Sequence, residues 1–193
     1  MLTVENGSFS VLEIKKSKFI SIAFGISSLD EAKNKLDEIR KNYADASHIC
    51  YAYKVGGQEK FFDDGEPSGT AGKRILSIIS IKNLRNVLIV VIRYFGGIKL
   101  GAGPLSRAYQ KSANLAIEFS KVKEIEKMIK ISFCVNEELK YKVYLLSLGE
   151  KTNLISTGEC CFLIECKEEN ENNILEKLRS LDAKIFSVKE ELR

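Results

Sequence analysis

Asp63-Asp64-Gly65-Glu66-Pro67-Ser68-Gly69-Thr70-Ala71-Gly72-Lys73 gathers three carboxylates, three glycines, two hydroxyls and a lysine into one short stretch. A second run, Arg93-Tyr94-Phe95-Gly96-Gly97-Ile98-Lys99-Leu100-Gly101-Ala102-Gly103, leads a strand-like segment into another glycine-rich, basic loop. Glycine at this density weakens a fold unless the backbone needs positive φ or a close approach. A glycine loop entering a helix presents free amides and a positive dipole end to an anion. On that chemistry Ser68, Gly69, Thr70, Gly72 and Lys73 form one half of an anion site. Arg93, Gly96, Gly97, Lys99, Gly101 and Arg107 form the other. Neither loop is a nucleotide-binding motif. A Walker loop wants glycine where Pro67 stands and Ser or Thr where Arg74 stands. The plain alternative is that these glycines only make tight turns.

Asp45, His48, Asp63, Asp64 and Glu66 suggest a second chemistry, because hard divalent cations favour several carboxylates and one imidazole could complete the set. His48 is the only histidine. Competing with a metal or acid–base role, the three acids of the first loop could pair with Lys73, Arg93 and Lys99 and order both loops. Cys50 lies two residues from His48, but no third group is visible to orient a thiol nucleophile.

The elements that must position these residues follow from pattern. Phe9–Ile14 and Phe19–Phe24 read as a strand pair about a lysine-rich turn, and Ser28 with Glu31 forms a capping box opening a helix. His48–Val55 alternates an apolar face with a mixed one. A helix from about Ala71 to Ile81 follows the first loop. Val87–Tyr94 is apolar on both faces and therefore central, and a helix with a small-residue stripe begins near Gly103-Pro104. Alternating charge at 121–130 marks a boundary between domains 1–124 and 130–193. The second reads strand, helix, strand, strand, helix, strand, the ferredoxin-like order βαββαβ.

Charge divides the same way. Residues 1–130 carry 21 Lys+Arg against 14 Asp+Glu, or +7, and 131–193 carry 9 against 12, or −3. No acid falls between Glu66 and Glu118, whereas eight lysines and arginines do. Such a segment attracts phosphate. The longest apolar run, Val87–Ile92, is far too short to cross a bilayer, and Met1–Gly7 lacks the features of a signal peptide. Five cysteines with no C-x-x-C pair argue against a disulfide framework or structural zinc, and a cytoplasmic location is expected.

On these motifs the sequence resembles the Impact family in its bacterial, YigZ-like branch. The resemblance rests on Lys18-Phe19-Ile20, on Asp45–Tyr53, on both glycine loops and on Arg107-Ala108-Tyr109. It departs at Ile49, where a second histidine is common, at Arg74, where proline is common, and at Pro104, where glycine is common. The resemblance implies an α/β (α+β) protein. Its first domain would be a two-layer sandwich like the second domain of a small-subunit ribosomal protein, and its second would be like the last, ferredoxin-like domain of elongation factor G. Eukaryotic members are tied to translational control under amino-acid starvation through a separate N-terminal module, so that role is not carried onto this sequence.

Three functions are weighed. The leading one is a non-catalytic, translation-associated protein that binds RNA or a ribosome-bound factor through the basic loops. Another is a hydrolase with a divalent metal at Asp63, Asp64, Glu66 and His48. The third is a protein-interaction adaptor. No committed cofactor, no membrane partner and no oligomeric state follow from the sequence.

Overall fold

The computed structural model describes residues 1–5 and 8–192, and the chain divides into two compact units, Met1–Glu124 and Ile125–Arg193. The first unit contains β1 (Leu2–Val4), β2 (Ser8–Ile14), β3 (Ser17–Gly25), α1 (Leu29–Asn42), β4 (His48–Val55) and β5 (Gln58–Phe62). There follow α2 (Gly72–Ile81), β6 (Val87–Tyr94), α3 (Ala102–Glu118) and β7 (Val122–Glu124). Its main sheet has the order β2-β3-β6-β4-β5, every neighbouring pair antiparallel, while β1 pairs with β7 apart from it.

β6 is the axis of this unit, and its seven residues from Val87 to Arg93 are all buried. Strand alternation divides them between two faces. Val87, Ile89 and Val91 join Ile75 and Ile79 of α2 and Leu105, Ala108 and Ala113 of α3 in one core. Leu88, Val90 and Ile92 join Ala32, Leu36 and Ile39 of α1 in another. The expected sandwich is thus the sheet beneath α2 and α3, and α1 adds a helix on the far face. Ser28 caps α1 by accepting the Glu31 amide, but Glu31 reaches back to Ser27 rather than to Ser28, a capping box displaced by one residue.

Alternation also fixes what lies at the end of the α2–α3 face. Arg93 continues the Val87-Ile89-Val91 series, and its register partners are Phe19 on β3 and His48 on β4. Cys50 stands opposite Val91, so it shares that face. One arginine, one histidine and one thiol therefore crowd the same sheet corner.

The second unit holds β8 (Lys127–Cys134), α4 (Lys140–Glu150), β9 (Asn153–Ser156), β10 (Cys161–Lys167), α5 (Glu171–Ser180) and β11 (Lys184–Leu192). Its antiparallel sheet runs β11-β8-β10-β9, the ferredoxin-like arrangement, over a core of Ile129, Ile131, Phe133, Phe162, Ile164, Ile174 and Leu178. One cysteine expectation is corrected here. Cys134 and Cys161 are directly opposed on β8 and β10 and form a disulfide, leaving Cys50, Cys160 and Cys166 as free thiols. The spacing of the cysteines in the chain carries no trace of that register.

Candidate functional site

The corner of the α2–α3 face is organised by one buried carboxylate. Glu66 Oε1 accepts from Arg93 Nη1 at 2.6 Å and from the Tyr109 hydroxyl at 2.8 Å, with His48 Nε2 3.9 Å away. The side chains of Arg93 and Glu66 are 5% and 4% exposed, so this ion pair is withdrawn from solvent. Arg93 also lies 5.4 Å from the ring centroid of Phe19 and 5.5 Å from that of Phe95. Its Nε, likewise buried, has no hydrogen-bond partner among the described residues. Burial fixes such a pair in place, and breaking it strands a charge. Of the pairings expected between acids and bases of the two loops, Glu66 with Arg93 is the one formed among the described residues.

Asp63 does something the sequence reading did not foresee. Its Oδ2 accepts the Gly69 amide at 2.9 Å, and its Oδ1 accepts Ala71 at 3.1 Å and Gly72 at 2.7 Å. The carboxylate thereby caps the N-terminus of α2, as acids at that dipole end commonly do. The amides of Gly69 and Gly72 were expected to face an external anion. They are already taken by an internal one. Thr70 is buried and donates its hydroxyl to the Pro67 carbonyl at 2.6 Å. Ser68 and Lys73 remain exposed. A Cβ on Gly72 would lie 2.6 Å from the Phe62 carbonyl oxygen, and one on Gly96 would lie 2.0 Å from the Lys16 carbonyl carbon. These glycines let backbone approach backbone, not ligand.

The remaining acids are each committed elsewhere. Asp64 Oδ2 accepts the Ile49 amide at 2.6 Å, and Asp45 Oδ1 accepts the Tyr94 hydroxyl at 2.9 Å. His48 Nδ1 donates to the Asp64 carbonyl at 2.8 Å, which leaves Nε2 as the lone-pair nitrogen. Among the described residues no group of three or more His, Cys, Asp or Glu is placed to hold a metal ion. Each of the five residues weighed for a metal centre has a hydrogen-bond or ion-pair partner within the first unit. Cys50 Sγ donates to the Asp63 carbonyl at 3.0 Å and lies 3.4 Å from Tyr109 Oη. Burial pushes its pKa well above the ordinary thiol value, which keeps the thiol protonated. Burial likewise raises Tyr109, with Cys50 and Glu66 adding to the effect.

The second loop is different. Its turn, held by Gly96 N donating to Ser17 Oγ at 3.2 Å, delivers Lys99 and then Gly101, whose φ of 81° admits the chain to α3. Gly101, the residue before α3, has no side chain to cap it, and among the described residues no other side chain bonds the first amides of this helix. Pro104 is its third residue, where the missing N–H breaks no helical bond. A cleft of about 360 Å³ opens here, lined by Glu66 and Pro67 of the first loop, by Phe95, Lys99 and the Gly101-Ala102 entry of the second, and by His48, Arg93, Leu100 and Leu105. The two loops therefore meet at one opening. Lys73, Lys99 and Arg107 are all exposed, and none forms a salt bridge among the described residues. Lys73 lies along Gly69 and Arg107 along Gly103. The chemistry left to this corner is that of an electropositive, partly apolar opening over a rigid buried network.

Residues 15–117, which contain every residue of this corner, match the family model described as the Impact N-terminal domain. The chain belongs to the Impact family. Similar proteins include "IMPACT family member YvyE" of Bacillus subtilis (strain 168), 44% identical over 115 residues, 58% of this chain and 53% of that protein. An "IMPACT family member" of Haemophilus influenzae is 36% identical over 157 residues, 74% of this chain and 76% of its own length. The match thus spans about half of the first relative and three quarters of the second. A solved structure described as "Crystal structure of an hypothetical protein" covers 97% of both chains with a TM-score of 0.68 at 26% identity.

Within the Impact domain, three participants escaped the sequence reading. In the sequence Tyr109 is marked as part of Arg107-Ala108-Tyr109, with no partner assigned, although a buried phenol must find one and so signals a polar neighbour. Ser17, fully buried, serves both Gly96 and, at 3.4 Å, Arg93 Nη2. Ser47 Oγ accepts the Phe95 amide at 2.9 Å. Nothing in the spacing of either serine marks it.

Proposed function

We propose that this Impact-family chain is a translation-associated protein that binds RNA at the corner where its two glycine loops meet. The observation that carries the reading is a set of exposed cations without salt bridges among the described residues: Lys99 on the second loop, Lys73 in the first turn of α2 and Arg107 in the second turn of α3, the two helices entered from loops that share an opening. An RNA backbone is the anionic polymer such a surface suits, and Phe95, 46% exposed beside Lys99, offers a ring for stacking. Membership of the Impact family supports the translational setting. Arg93, first grouped with the phosphate contacts, is in this reading a positioning residue, because Glu66 holds its charge inside.

Three phosphate contacts to a single strand give a log affinity against log salt slope of about −2, at roughly −0.7 per contact. Fluorescence anisotropy with labelled single-stranded RNA between about 50 and 200 mM salt measures it. Each of Lys73→Gln, Lys99→Gln and Arg107→Gln is expected to flatten the slope by roughly 0.7. Binding indifferent to salt, or unaltered in the triple variant, overturns the reading.

A further inference from the structure

We propose that the cleft between the loops is a seat for a phosphate monoester, the phosphate of a nucleotide or of an RNA end, rather than one more contact along a continuous strand. This rests on the anionic-ligand reading above and narrows it. The opening is at the small end of the range for small-ligand sites, about one nucleotide in size, and it is walled by Pro67, Leu100 and Leu105. A groove that tracks a backbone has no need of such walls.

The charges lining the cleft select the phosphate type. Glu66 cancels Arg93 internally, which leaves Lys99 with one full positive charge. The uncapped start of α3, a helix of 17 residues, adds roughly half a charge through its free amides. The sum is about +1.5, against about −1.5 to −2 for a monoester at neutral pH and −1 for a diester. Gly101 and Ala102 line the opening themselves, so the start of that helix borders the same space as Lys99. At the rim Phe95 presents a ring to a base. His48, its Nδ1 fixed on the Asp64 carbonyl, has Nε2 left to accept from a ribose hydroxyl. A further donor without a partner among the described residues, Arg93 Nε, belongs to a residue of the cleft wall that is only 4% exposed.

The experiment uses the full chain with adenosine, adenosine monophosphate, and one short RNA made with hydroxyl ends, with a 5′-phosphate and with a 3′-phosphate. We expect one phosphorylated end to bind roughly tenfold tighter than the hydroxyl-ended RNA, and the monophosphate to bind where adenosine does not. Lys99→Gln and Phe95→Ala, both at exposed positions, should erase that advantage, whereas Lys73→Gln should lower the affinity of all three RNAs alike. Equal, salt-dependent affinity for all three RNAs overturns the monoester seat and leaves RNA binding standing. Binding of the monophosphate without any RNA, lost in Lys99→Gln, upholds the seat and removes the RNA reading. Failure of every probe overturns both.

Discussion

Glu66→Gln should move stability and anion affinity in opposite directions. Glutamine keeps an oxygen that can accept from Arg93 Nη1 and the Tyr109 hydroxyl, so the shape of the network survives. The charge balancing a guanidinium that is 5% exposed does not. Removing one partner of a buried ion pair typically costs 3–5 kcal/mol; because the acceptor remains, we take about 2–3 kcal/mol. For a unit of 124 residues this lowers the Tm by roughly 6–15 °C. The cleft meanwhile becomes one unit more positive. At an effective dielectric of about 20 and a separation of about 8 Å, one charge is worth about 2 kcal/mol, and salt near 0.15 M reduces that to about 1. The variant should therefore melt earlier yet bind RNA or a nucleotide monophosphate about fivefold tighter. Thermal melts followed by circular dichroism give the first number. Anisotropy titrations well below either melting temperature give the second. A folded Glu66→Gln protein that binds anions more weakly would refute the reasoning, as would one with an unchanged Tm.

Further expectations concern the loops and the buried thiol. Asp63→Ala removes the acceptor of three amides and should cost about 2–3 kcal/mol, with hydrogen exchange of Gly69, Ala71 and Gly72 rising more than that of α3. Gly96→Ala drives a Cβ into the β2–β3 turn and should cost about 3 kcal/mol or more. Gly97→Ala meets open space at a φ of 81° and should cost only about 1 kcal/mol, so equal melting points for the two would count against the packing argument. Because burial raises the Cys50 pKa above that of an exposed thiol, roughly 8.5–9 in the unfolded chain, its contribution is intact below that range and falls as pH climbs past it, when only the unfolded chain loses the proton. Relative to Cys50→Ala, the wild type should lose up to about 1.4 kcal/mol per pH unit above pH 9 in urea titrations. A constant difference between the two across that range would dispose of the buried-thiol account.

Where hydrophobic period and turn chemistry agree, the fold was legible before any coordinates. Val87–Tyr94, apolar without interruption, is the buried centre of the sheet, and the βαββαβ order of the second unit is realised in its sheet order. β5 was missed because Gln58–Phe62 is an exposed edge strand with no alternation to read. β1 and β7, three residues each, are too short to carry a period. At the site, residue types pointed to the right corner but not to the partners. Asp63 and Glu66 are three residues apart and look alike in sequence. One caps a helix and the other neutralises an arginine 27 positions away, a distinction set by the β4–β6 register and by where α3 brings Tyr109. Cys134 and Cys161 make the same point, since only strand pairing sets them opposite each other.

The most direct test of the central claim is a residue-resolved map of the bound surface. Two-dimensional NMR of the full chain, titrated with short single-stranded RNA at low salt, should shift amide resonances of Phe95–Arg107 and those around Pro67–Lys73 first and most. Shifts confined to α1 or to residues 125–193, with the two loops undisturbed at saturation, would contradict the account.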